Sequence, residues 1–139
     1  MRIRVVTLLM ISAGLALVLA QTPTIKKVPV DSTSPTDGRE MFDEYCAVCH
    51  GPDGRGAGPA ASALKKTPAD LSQLTRKSNG KFPEMRISQV LTSGPGETLA
   101  HGSKEMPIWG QLFRSLGSEG TARIRIVNLT EYIKSIQAK

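Results

Sequence analysis

The sequence predicts an all-α domain. Apolar residues recur at helical spacing in several stretches, glycine and proline cluster between those stretches, and no alternating strand pattern occurs anywhere. Aromatic residues make up only 4% of the 139, against 40% apolar overall. A core with so few large side chains is thin, and a chain of this size compensates with a staple or a cofactor. Its two cysteines, Cys46 and Cys49, are too few and too close together for a disulfide framework. A multidomain enzyme, a collagen-like chain, a knottin and a polytopic membrane protein are excluded.

Residues 1–20 read as a signal peptide. Arg2 and Arg4 precede an apolar run over 5–19, and Val18-x-Ala20 places small residues where a signal peptidase needs them. An uncleaved anchor is the alternative, although the run falls short of the roughly 20 apolar residues of a spanning helix. No cysteine lies near the cleavage point, which excludes a lipoprotein anchor. Cleavage lowers the Lys plus Arg count from 18 to 16 against 12 acids, so the net charge drops from +6 to +4. That is mildly basic, without the dense Lys/Arg stripe of a nucleic-acid binder. It suits docking to acidic protein surfaces or anionic membrane faces. Export to the periplasm also implies an oxidising compartment, where a bare Cys-x-x-Cys pair closes unless something else claims both sulfurs.

Residues 21–36 carry Pro23, Pro29 and Pro35 among Ser and Thr with no helical period, the pattern of a flexible arm. The domain then runs over 37–139. Asp37 caps a first helix through Tyr45, with Phe42, Tyr45, Cys46 and Cys49 on one stripe. The segment 51–59 holds four glycines and two prolines and is a loop. Thr67-Pro68, a cap followed by proline, opens a second helix that Gly80 ends. Pro83 opens a third through Leu91, stopping near Gly94. Segment 94–107 is a long loop of the kind that carries function. A short element over 108–116 precedes the last helix, over 121–137, whose stripe is Ile126, Leu129, Ile133 and Ile136 with Tyr132 alongside.

Cys46-Ala47-Val48-Cys49-His50 is Cys-x-x-Cys-His, the attachment signature for c-type haem. On a helical turn, residues three apart share a face, so both sulfurs reach the two vinyl groups on one porphyrin edge. His50, next in line, then lies under the macrocycle with an imidazole nitrogen near the iron. Three other readings carry less weight. A thioredoxin-like pair wants a strand-to-helix turn. A zinc site would consume Cys46, Cys49, His50 and His101 without the usual His-x₃₋₅-His half. A disulfide across four residues closes too small a loop to stabilise much.

With this motif the chain resembles the class I cytochromes c, the small monohaem bacterial kind. The resemblance covers about 38–137 and rests on Gly38-x-x-x-Phe42-x-x-x-Cys46, then Gly51, Gly58-Pro59, Met106-Pro107 and Leu129-x-x-Tyr132. It implies about four to five helices wrapped around one covalently attached haem, with the first and last helices crossing near Gly38 and Phe42. Gly38 would permit the close approach, and Phe42 would pack against Leu129 and Tyr132. The resemblance also implies that the carbonyl of Pro59 holds the second N–H of His50, since a ligating imidazole needs an acceptor to fix its ring.

For the opposite face of the iron the domain offers Met41, Met85, Met106 and His101. Met41 precedes the attachment motif on the same helix and cannot swing across, and Met85 sits in a helical pattern as core or gap filler. Met106, at the end of a glycine-rich loop and followed by Pro107 as in the family's Met-Pro motif, is the candidate. Its neutral thioether favours Fe(II). His101 is the rival. Trp109 is either a hydrogen-bond donor to a haem propionate or a core aromatic at the haem edge. Arg55 is either a second propionate donor or a solvated cation.

Apolar candidates for the pocket are Phe42, Leu64, Leu71, Leu74, Val90, Leu91, Ile108, Trp109 and Phe113. Lys65, Lys66, Lys81 and Lys104 either rim the exposed haem edge or serve as ordinary solubilising lysines. With both axial positions filled, the iron has no open site and the expected function is Fe(III)/Fe(II) electron transfer rather than catalysis. The expected partners are redox proteins with acidic docking surfaces, the protein acting as a monomer or as a subunit of a respiratory or dehydrogenase complex. Two alternatives differ in class: a sensor binding CO or NO through a displaceable Met106, and a peroxidase-like enzyme needing His101 at an open site.

Overall fold

The computed structural model describes residues 32–95 and 105–138. The expected leader, most of the arm, His101 and Lys104 lie outside the described residues. Within them the chain forms six α-helices and no strand, bearing out the all-α fold with one helix more than expected.

Helix α1 (Gly38–Tyr45) starts where the cap was expected: the Asp37 carboxylate accepts from the Glu40 amide at 2.9 Å. Cys46 interrupts the helical run, and a separate turn, α2 (Ala47–His50), carries Cys49 and His50. Helix α3 (Leu74–Lys77) is far shorter than the helix expected from Thr67-Pro68. Pro68 begins no helix. The cap is Asp70, whose carboxylate accepts from the Ser72 amide and hydroxyl at 2.9 and 2.6 Å and starts a 3₁₀ turn, Leu71–Gln73, ahead of α3. Ala61–Ala63 forms another 3₁₀ turn inside a stretch without helical signal.

Helix α4 (Glu84–Ser93) begins after Pro83 and stops at Gly94, whose φ of 81° an L side chain rarely adopts. Helix α5 (Trp109–Ser115) follows the long loop. The last helix, α6 (Glu119–Ser135), begins two residues earlier than expected, because the Ser118 hydroxyl accepts from the Thr121 amide at 3.1 Å.

Helices α1 and α6 cross as the resemblance implied. A Cβ on Gly38 would collide with the Asn128 carbonyl oxygen and come within 2.9 Å of the Tyr132 Cβ, so only glycine lets these helices meet this closely. Phe42 is wholly buried and lies 5.2 Å from the Tyr132 ring, with Leu129 in the same core. Met41, Phe42, Phe113 and Leu129 form the fully buried centre. Its other walls are Leu91 of α4 and Ala122, Ile126 and Ile133 of α6.

The last residues of the expected flexible arm are docked. Thr33 is buried and accepts from both terminal nitrogens of Arg125, on its hydroxyl and its carbonyl, each at 2.7 Å. Asn128 donates to the Pro35 carbonyl at 3.2 Å. Side-chain anchors on α6, rather than any helical period in the arm itself, hold this segment.

Candidate functional site

The Cys46–His50 turn is built around its own backbone. Its carbonyls need donors beyond the helix end, and the glycine-rich loop supplies them. The amides of Gly56, Gly58 and Ala60 donate to the carbonyls of His50, Cys49 and Val48 at 2.7, 3.1 and 2.9 Å. The loop thus folds back against the turn it follows. A bond from the Leu71 amide to the Gly54 carbonyl, 2.7 Å, then brings segment 69–71 alongside.

Cys46 is buried and Cys49 half-buried, and the two are not bonded to each other. Burial, with Cys49 adding, pushes the Cys46 thiol up to about 12, so the unattached sulfur is a neutral thiol. The Nδ1 of His50 lies 2.9 Å from the carbonyl oxygen of Ala69. Burial lowers the His50 pKa and the Ala69 bond opposes it only in part, so the imidazole is held neutral, the form that ligates a metal.

This contact corrects the assignment to Pro59. Pro59 is exposed, and the loop places the 69–71 segment, not its own proline, next to the imidazole. No sequence signal marks a backbone acceptor nineteen residues downstream, because every residue has a carbonyl.

Of the candidate methionines, Met41 is locked in the core of α1 and Met85 is 87% exposed, which corrects its reading as a core residue. Met106 is partly buried and packs against the same core cluster as Cys46. Its neighbour Glu105 accepts from the Lys65 amide at 3.0 Å, tying the stretch just after the Ala61–Ala63 turn to the Met106 end of the long loop. Glu105 was not singled out from sequence, where it reads as one more loop carboxylate.

Trp109 packs against the rings of Tyr45 and Phe113 at centroid distances of 5.6 and 6.1 Å. Arg55 lies on the surface, its Nε 3.5 Å from the Asp53 carboxylate. Phe42, Leu91 and Phe113 are buried, Leu71 and Leu74 pack against the core, Leu64 and Val90 are half-buried, and Ile108 is 41% exposed. Lys65, Lys66 and Lys81 are exposed. No group of His, Cys, Asp and Glu that would hold a bare metal ion occurs among the described residues. Nor, among them, is any helix long and apolar enough to cross a membrane.

The donor set fits a c-type haem. Two unpaired cysteines stand one turn apart, the neutral imidazole beside them has its outer nitrogen already engaged, and a thioether packs on the shared core. An all-helical chain arranged in this way is a c-type cytochrome. The family described as cytochrome c oxidase, cbb3-type, subunit III matches residues 33–119, more than half of the sequence, and the chain belongs to that family. Its cofactor is haem c and its function is electron transfer. No curated protein matched the chain.

Proposed function

We propose that the chain is an exported electron carrier in which Cys46 and Cys49 would hold the haem through thioethers and His50 and Met106 would ligate its iron. It works alone in the periplasm or as the small cytochrome subunit of an oxidase or dehydrogenase complex. The bound haem would supply one-electron Fe(III)/Fe(II) chemistry. The observation that carries the ligand assignment is the contrast among methionines: Met41 is sealed in α1, Met85 faces solvent, and Met106 alone stands partly buried on the core that contains Cys46.

The chain's own residues do four things. The Ala69 carbonyl fixes the His50 ring and its tautomer. The loop after the turn ties it down through amides donated to the carbonyls of Val48, Cys49 and His50, which would hold the imidazole in place. The buried core of Phe42, Leu91 and Phe113, which also contains Cys46, would offer a bound haem an apolar wall. Exposed Lys65, Lys66 and Lys81 favour an acidic partner, giving an encounter rate that falls with salt.

The test is the absorption spectrum of the oxidised protein matured with its haem. A far-red band from a sulfur–iron bond is expected and should disappear in Met106→Ala. A protein without the band, or one that binds CO as avidly as an open-site haem, would favour the gas-binding reading instead.

A further inference from the structure

Arg125 is a buried cation whose charge the fold leaves uncompensated among the described residues. It is 2% exposed, yet it makes no salt bridge there. Its two terminal nitrogens donate to neutral acceptors, the hydroxyl and carbonyl of Thr33, each at 2.7 Å. Its Nε is buried without a partner, and its guanidinium lies 5.8 Å from the centroid of the Phe113 ring. Burying a charge without a counter-charge is costly, and apolar residues of similar volume often serve stability as well or better. A guanidinium buried in this way places an uncompensated charge inside the core, where it can act on other charges.

The surroundings indicate which charge. The Thr33 hydroxyl also bonds the Tyr45 hydroxyl at 3.0 Å, and Tyr45 is covalently next to Cys46. Phe113, beneath the guanidinium, packs on Tyr45 at 5.7 Å and belongs to the core that contains Cys46. Through Thr33 and Phe113 the positive charge thus sits in a low-dielectric region linked to Tyr45, the residue before Cys46, where screening by water and salt is weak. Oxidation of a bound haem iron would add one positive charge, which a fixed cation buried against the same core would oppose.

Resting on the haem reading above, we propose that Arg125 is a positioning residue for electron transfer: its buried charge raises the reduction potential of the iron, while Thr33 holds the guanidinium in place. The charge and the strap are separable. Thr33→Val loosens the strap but keeps the cation. Arg125→Lys keeps the cation but loses the forked bond, and Arg125→Met removes both.

The experiment is a spectroelectrochemical titration of the haem-loaded full chain for wild type and each variant, at low and high salt, with unfolding measured in parallel. In Arg125→Met the iron's equilibrium at a given applied potential should shift severalfold toward Fe(III), equally at both salt concentrations. Arg125→Lys should stay close to wild type, and Thr33→Val should lose stability with its potential unmoved. If Arg125→Met does not mature, Arg125→Gln carries the same expectation. An unmoved potential in the neutral variants, or an equal drop in Thr33→Val or Arg125→Lys, overturns the proposal while the haem reading stands. A wild-type chain that matures without haem overturns both.

Discussion

The imidazole Nδ1 of His50 stands 2.9 Å from the carbonyl oxygen of Ala69, a residue nineteen positions along the chain. The contact depends on two neighbours. Gly54 accepts from the Leu71 amide, and Asp70, itself in extended backbone, caps the 3₁₀ turn that follows Ala69. The orientation of the candidate proximal ligand is therefore set by a turn outside the attachment motif.

Asp70→Ala should loosen this support. Loss of the cap costs about 1 kcal/mol, and the freed carbonyl should broaden the signals of the His50 ring in NMR spectra of the haem protein. Pro59→Ala, at an exposed position, should leave those signals unchanged. The opposite pattern would return the acceptor role to Pro59.

Met106→Ala should abolish the sulfur–iron band and lower the reduction potential, since a soft neutral ligand that favours Fe(II) is lost. Met85→Ala should alter neither. Its side chain is 87% exposed, and such surface changes usually stay within roughly 0.5 kcal/mol. Absorbance and potential measured on the two variants decide the assignment.

Gly38→Ala should destabilise the domain by ~1–3 kcal/mol or prevent folding, because the added methyl meets the backbone oxygen of Asn128 and no side-chain rotation relieves it. Gly80→Ala is the comparison: a Cβ there meets nothing within 4 Å, so only the cost of its positive φ is felt. Chemical denaturation of both variants should rank Gly38 well above Gly80.

Acid should weaken the fold through His50. In the unfolded chain the imidazole titrates near its ordinary value of about 6.5, whereas in the folded chain burial depresses it. Below that ordinary value the unfolded state binds a proton that the folded state refuses. The stability from a neutral His50 is thus fully present above about 6.5 and declines as pH falls beneath it. Ligation to iron acts in the same direction, because only the neutral ring binds. His50→Gln should flatten this part of the stability profile of the haem-free chain.

Much of this molecule follows from local order along the chain. The attachment turn is legible because Cys46, Cys49 and His50 must be adjacent for their chemistry. The starts of α1 and α4 are legible because Asp37 and Pro83 act on their own neighbours, and the apolar stripe of α6 because its period is local. The second expected helix failed for the same kind of reason. Thr67-Pro68 is a fair opening signal, but Asp70 competes as a cap three residues later, and the preceding backbone is drawn to Gly54 and His50.

Sequence alone determined the helical class and the attachment motif, and the resemblance it carries implied that Gly38 admits the crossing of α1 and α6. Tertiary structure decided what depends on partners distant in the chain: the acceptor at Ala69, the exposure of Met85, and the docking of Thr33 on Arg125. Arg125 shares its buried face with Ala122 and Leu129 at helical spacing, which marks it as an inward residue, but only packing shows what surrounds it. The physical reason is that caps and helical stripes arise within a few residues of one another. A buried carbonyl or an uncompensated charge takes its meaning from groups that the folded chain alone brings near.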